Sequence, residues 1–270
     1  MRRESFETPG PLRLDLRLPS GTISLEAHDE SSTRIELDAT RDSDELREVI
    51  DNARIELRPH RDGHELIVDV HRKRFKLFDF MGGEIILRVF ARRGSDVAIS
   101  TASADTDARG VWGSLKVATA SGDVSFDELN GDVDVKSASG HIELRRVGGR
   151  ASINSASGDV EIDEVAGEAV VRSASGDVEI GEARASVTVQ TASGDQSVRS
   201  VTSGKVTLQS ASGDQTVGIA RGARAFLDVK TMSGDATSEL DVGDDPGGEE
   251  RPHVEVRATA MSGDIRIVRA

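Results

Sequence analysis

Hydrophobic and polar residues alternate with period two along most of the chain. Leu12, Leu14, Leu16 and Leu18 alternate with Arg13, Asp15 and Arg17, and Pro19-Ser20-Gly21 then turns into Ile23 and Leu25. Period two places successive side chains on opposite faces of a strand, one buried and one wet. Further strands are expected around 34–39, 54–57, 65–70 and 84–90. One stretch breaks the rhythm. Leu46, Val49, Ile50 and Ala53 share a helical face behind Asp42 and Glu45, which are spaced as in a capping box. A short helix is expected near 43–52.

From residue 101 onward the alternation becomes a repeat. A pentapeptide of the form Ser/Thr-Ala/Met-Ser-Gly-Asp begins at Thr101, Thr119, Ser137, Ser155, Ser173, Thr191, Ser210, Thr231 and Ala260. The first six starts are 18 residues apart, and the later gaps are 19, 21 and 29. Fixed-period self-similarity marks stacked supersecondary units. Each unit holds two short alternating runs and two turns, which is one coil of a solenoid. Ile99, Val117, Val135, Ile153, Val171, Val189, Leu208 and Val229 stand two residues before the motif starts. Ala108, Phe126, Leu144, Ile162, Ile180, Val198, Val217, Ser238 and Ile267 stand seven after them. These columns predict an all-β, single-stranded parallel β-helix with coils of about 18 residues, right-handed because parallel crossovers almost always are. Residues 1–95 then form N-terminal capping coils with the helix. Residues 96–270 form the regular coils, interrupted by a polar loop at 241–253, and the whole is expected as one continuous domain. The final strand, with Ile265 and Ile267, is expected to leave an open edge that a partner strand could use.

The motif has a turn-forming explanation. Gly at its fourth position allows positive φ at a corner, and Ser and Asp oxygens bond nearby backbone N–H groups. Stacking sets Asp123, His141, Asp159, Asp177, Asp195, Asp214, Asp235 and Asp264 in one column. A calcium ladder is the alternative reading of that column. One carboxylate per coil is sparser than calcium-binding rolls use, so no metal or cofactor is expected.

Composition narrows the function. Among 270 residues there is no Cys, which excludes disulfides, thiolate metal sites and a Cys nucleophile. The net charge of −14 disfavours a nucleic-acid partner. No apolar run is long enough to span a bilayer, and the first ten residues do not read as a signal peptide. Residues 1–95 carry 17 basic and 19 acidic residues, whereas 96–270 carry 17 and 29. The near-neutral N-terminal part holds a basic-aromatic cluster, Arg72, Lys73, Arg74, Phe75, Phe78 and Phe80, which is a candidate partner contact beside its role in closing the core. No zinc-protease, nucleotide-loop or nucleophile-elbow motif occurs, and the recurrent Ser belongs to the repeat.

The alternating N-terminal section, the 84–93 strand ending in Gly94, and the repeated SASGDV, TASGD and TMSGD units resemble the bacterial Toastrack domain, an adhesin-labelled family of unknown function. The resemblance implies a β-helix and, in many relatives, envelope-stress sensing through an attached membrane segment. No catalytic residue follows from it. The sequence therefore predicts a non-enzymatic scaffold or protein-interaction module, cytoplasmic, monomeric or a small oligomer, with an unidentified protein partner. A surface adhesin or secreted binder is the alternative, and a carbohydrate-active β-helix enzyme the second.

Overall fold

Alternation becomes strand almost everywhere. The computed structural model describes residues 1–61, 63–70, 83–240 and 253–270. They form an all-β repeat architecture with a single helix among the described residues, divided into two compact units, Met1–His141 and Ile142–Ala270. Each unit contains strands of two large sheets.

The first unit comprises β1 (Arg2–Glu7), β2 (Leu12–Arg17), β3 (Ser20–His28), β4 (Ser32–Ala39), α1 (Asp44–Asp51), β5 (Arg54–His60), β6 (Gly63–Asp69), β7 (Ile85–Arg92), β8 (Asp96–Ser100), β9 (Ser103–Trp112), β10 (Leu115–Thr119), β11 (Val124–Leu129) and β12 (Val133–Ser139). One sheet runs β1-β4-β7-β3-β9-β11 and the other β12-β10-β8-β2-β6-β5. Pairing is mixed. β4 runs antiparallel to both β1 and β7, and β5 antiparallel to β6. The expectation of parallel strands throughout therefore fails here, where hairpin-like returns cover the first coil. Residue 95 lies inside this unit, with β2 paired to β8 and β3 to β9.

Helix α1 caps on Ser43, whose side chain accepts from Leu46 N–H at 3.4 Å. Asp42, expected as the cap, instead pairs with Arg47 at 2.6 Å. The last turn holds no basic residue of its own. Arg2 from β1 supplies the charge, its guanidinium donating to Ile50 O at 3.0 Å and Ala53 O at 2.7 Å. A cation there satisfies orphan carbonyls and opposes the helix dipole. Leu46 and Ile50 are the buried face, as the periodicity requires.

The second unit comprises β13 (Ile142–Val147), β14 (Ala151–Ser157), β15 (Val160–Val165), β16 (Ala169–Ser175), β17 (Val178–Ala183), β18 (Val187–Ser193), β19 (Gln196–Val201), β20 (Gly204–Ser212), β21 (Gln215–Ile219), β22 (Arg224–Ser233), β23 (Ala236–Ser238), β24 (His253–Ser262) and β25 (Ile265–Arg269). Its sheets run β13-β15-β17-β19-β21-β25-β23 and β14-β16-β18-β20-β24-β22, and its strand pairs are parallel. Ile153, Val171, Val189 and Leu208 stack in one sheet, and Ile162, Ile180, Val198 and Val217 in the other. All eight are fully buried. Each such side chain stabilises the fold by about 1.5–3 kcal/mol relative to exposure.

Neither unit stacks its coils wholly in chain order. In the first, β2 lies between β6 and β8, and β3 between β7 and β9. In the second, β24 lies between β20 and β22, and β25 between β21 and β23. The C-terminal strand is thus internal. Ile265 and Ile267 are buried at 0% and 1% exposure, which corrects their expected role at an open edge. The outermost described strands of this unit are β22 and β23.

Candidate functional site

Several of the pentapeptides close their corners by local bonds. Ser155, Ser173 and Ser210 donate through Oγ to the carbonyl two residues on, at 2.9–3.1 Å. Thr119 Oγ1 accepts from Gly122 N–H at 2.9 Å. Gly176 has φ +117°, and a Cβ there would overlap the carbonyl of Gly158 one coil earlier. Only glycine fits that corner.

The acidic column forms a backbone ladder. Asp123 N–H donates to Asp105 Oδ1 at 3.0 Å, and His141 N–H to Asp123 Oδ1 at 2.8 Å. Asp177 donates to Asp159, Asp195 to Asp177, and Asp214 to Asp195, at 2.8–2.9 Å. The ladder continues from Asp214 to Asp264 and from Asp264 to Asp235. In each of these bonds a carboxylate is used by the neighbouring coil's main chain, and among the described residues no group of His, Asp and Glu is arranged to hold a metal.

The outward faces carry the remaining chemistry. Arg199 reaches Glu179 at 3.1 Å and Asp163 at 3.6 Å, and Arg184 reaches Glu182 at 3.2 Å and Glu164 at 3.5 Å, tying adjacent coils. On the other sheet Arg172 Nε donates to Gln190 Oε1 at 3.2 Å, and Gln190 Nε2 to Gln209 Oε1 at 3.1 Å, a surface ladder of side chains. In the first unit a wide-open depression of about 690 Å³ is lined by Arg17, Leu18, Asp69 and Thr101. Arg17 is held there by Asp15 at 2.8 Å, which with Asp69 raises its already high pKa. The partner candidates Arg72, Lys73, Arg74, Phe75, Phe78 and Phe80 lie outside the described residues, as do residues 241–252 of the polar loop expected at 241–253, while His253 begins β24.

Two features escape a reading of periodicity. Gln196 and Gln215 occupy inward positions that are Val160, Val178 and Ile265 in neighbouring coils. Gln196 Nε2 donates to Thr191 Oγ1 at 2.7 Å and to Gln209 O at 2.8 Å, and Gln215 Nε2 to Thr259 O at 3.1 Å. The other departure is β22, which exposes Phe226 and Met232. The signal for it was present in the sequence: Ser238 in an apolar column, and Met where most corners carry Ala.

This arrangement of corners, ladders and stacked columns recurs along the coils that follow residue 100, and the profile of the family described as Toastrack DUF4097 matches residues 13–268. The chain belongs to the Toastrack family. No curated protein matches it. Among solved structures, a "putative adhesin" of Parabacteroides distasonis is 10% identical with a TM-score of 0.50, covering 98% of this chain and 96% of that one. A "putative adhesin" of Bacteroides fragilis is 12% identical with a TM-score of 0.47, covering 100% and 96%. A "putative cell adhesion protein" of Clostridium sporogenes is 11% identical with a TM-score of 0.36, covering 100% and 99%. The Toastrack chain is a repeat β-protein whose fold resembles that of the Parabacteroides distasonis structure. The cytoplasmic placement expected from the sequence is not upheld: the Parabacteroides distasonis structure, which this chain resembles over 98% of its length, is described as a "putative adhesin". Among the described residues no helix is long and apolar enough to cross a membrane.

Proposed function

We propose that this Toastrack chain is a surface-exposed or secreted binding protein of the adhesin type, built as a right-handed parallel β-helix closed at its start by antiparallel strands and α1. The β-helix reading is supported by the 18-residue parallel register, in which Ile162 sits beside Ile180 and Ile180 beside Val198. The observation that carries the functional reading is the outer surface of the repeats. Its side chains form repeating polar rows such as Arg172, Gln190 and Gln209, while motif residues such as Ser173, Gly176 and Asp177 are engaged in the corners. A repeating face suits an extended or multivalent partner better than a small substrate, which needs a concave site with convergent polar groups.

The test is surface labelling of intact cells that produce the protein. A membrane-impermeant amine reagent should label its lysines, and external protease should remove it before lysis. Protection of the whole chain in intact cells, with labelling only after lysis, would overturn the reading.

A further inference from the structure

We propose that β22 is a self-pairing edge, and that two copies of this chain join there as a two-fold symmetric antiparallel dimer centred on Val229. Among the described residues β22 pairs only with β24, so one side of a ten-residue strand has no described partner. Its inward residues Leu227 and Val229 are only half-buried, whereas Val189 and Leu208 in the same sheet are fully buried. Its outward face presents Phe226 at 60% and Met232 at 83% exposure. Met261 of the adjacent β24, at 59%, completes the patch.

The outermost strands of the first unit are built differently. β5 carries Arg54, Glu56, Arg58 and Pro59, and β1 carries Arg2, Arg3, Glu4 and Glu7. Charge and proline blunt an edge against pairing. β22 lacks proline and exposes apolar side chains instead.

The order of residues along β22 selects its occupant. Two antiparallel copies keep the half-buried and exposed faces matched only when residues of the same face stand opposite each other. A register centred on Asp228 or on Lys230 sets like charges against one another, which is destabilising. Centred on Val229, Asp228 meets Lys230 of the second copy and Lys230 meets Asp228. Phe226 then meets Met232 across the junction, and Leu227 meets Thr231. Both the opposite-charge pairs and the sulfur-aromatic pairs are favourable cross-strand neighbours. Within one chain Lys230 already reaches Asp228 at 3.0 Å, so each ammonium sits poised beside the edge. A symmetric contact of this kind closes on itself and stops at two copies, which suits a chain of charge −14 that resists longer assembly.

The test is sedimentation equilibrium of the full chain over a dilution series, with the mass expected to rise towards twice 28.8 kDa. Lys230→Asp should weaken the dimer at least ten-fold with an unchanged melting temperature, and the charge swap Asp228→Lys with Lys230→Asp should restore it. The protein has no cysteine of its own, so Val229→Cys introduces the sole thiol. It should form a disulfide-linked dimer on mild oxidation, whereas Lys230→Cys should not, because its own copy is offset from it. A monomer at every concentration overturns the proposal, including one whose edge is covered by residues 241–252 of the same chain. So does a dimer indifferent to Lys230→Asp, or one that Lys230→Cys links as readily as Val229→Cys.

Discussion

Asp235 N–H donates to Asp264 Oδ1 at 2.9 Å, although Asp264 comes 29 residues later in the chain. Asp264 N–H in turn donates to Asp214 Oδ1 at 2.8 Å. The last coil is therefore a wedge between two earlier ones, and it completes the parallel pairing of β22 and β23. Truncation after residue 252 would remove the only described neighbour of each. The expected outcome is loss of amide hydrogen-exchange protection across 224–238, with protection at Ile162 and Ile180 retained. Persistent protection at 224–238 in the truncated chain would show that β22 holds its place without β24.

The Asp ladder predicts a difference between two substitutions at one position. Asp177 Oδ1 accepts from Asp195 N–H at 2.8 Å from an exposed corner. Asp177→Asn keeps an acceptor oxygen and should change stability by a few tenths of a kcal/mol. Asp177→Ala removes it, leaves the N–H to water, and should cost about 1 kcal/mol. Added calcium should leave the wild-type melting temperature unchanged, because the carboxylates are already occupied by main-chain donors. A calcium-dependent rise reversed by chelator would reassign the column.

Most of the fold was legible because burial and repeat length leave clear marks. Ile153, Val171 and Val189 recur at fixed spacing, and each is buried where the spacing put it. Strand order was less legible. Nothing local in Ile265 or Ile267 distinguishes a terminal coil from one inserted between others, since both bury the same faces. Half-buried Val229 and exposed Ser238 mark the outermost described strands, and the polar Ser238 was the one trace of them in the apolar columns. At the other end Asp42 and Ser43 are both good caps, and sequence could not choose between them. The ladder was half legible: Asp as a corner residue follows from turn chemistry, but its bond to the next coil requires the stacking itself.

Edge charge on β5 predicts an acid-resistant carboxylate. Glu56 lies between Arg58 and Arg54, whose guanidiniums bond it at 2.6 Å and 2.5 Å. Hydrogen bonds from Arg58 and then Arg54 hold its pKa down at about 2, below the ordinary 4.5. A lowered folded-state pKa gives stability that is fully present above the unfolded value and lost as pH falls through the folded one. Any contribution from Glu56 should thus fade between pH 4.5 and about 2. An NMR titration should place its midpoint near the lower limit, and Arg58→Ala together with Arg54→Ala should return it towards 4.5. A midpoint already at the ordinary value in the wild type would show that solvent screens the pair fully.

Gln196 and Gln215 stand opposite each other in the core, each with an Oε1 that finds no donor among the described residues. A buried acceptor without a partner costs about 1–3 kcal/mol, more than a neutral hydrogen bond returns. Neighbouring coils place Val178 and Ile265 at the same inward position, so the site accepts an apolar side chain. Gln215→Met preserves length and volume while deleting both polar ends. It loses one bond, to Thr259 O, and removes one orphan oxygen. The expected result is a gain of about 1 kcal/mol, read as a higher denaturant midpoint with an unchanged slope. The two amides also give this coil a polar mark that its apolar neighbours lack, so a gain in stability could come with a loss of register. Hydrogen exchange at Gln196 and Ile265 would expose such slippage as lowered protection despite the raised midpoint. A fall in stability of more than about 1 kcal/mol would instead show that the bond to Thr259 outweighs the orphan oxygen.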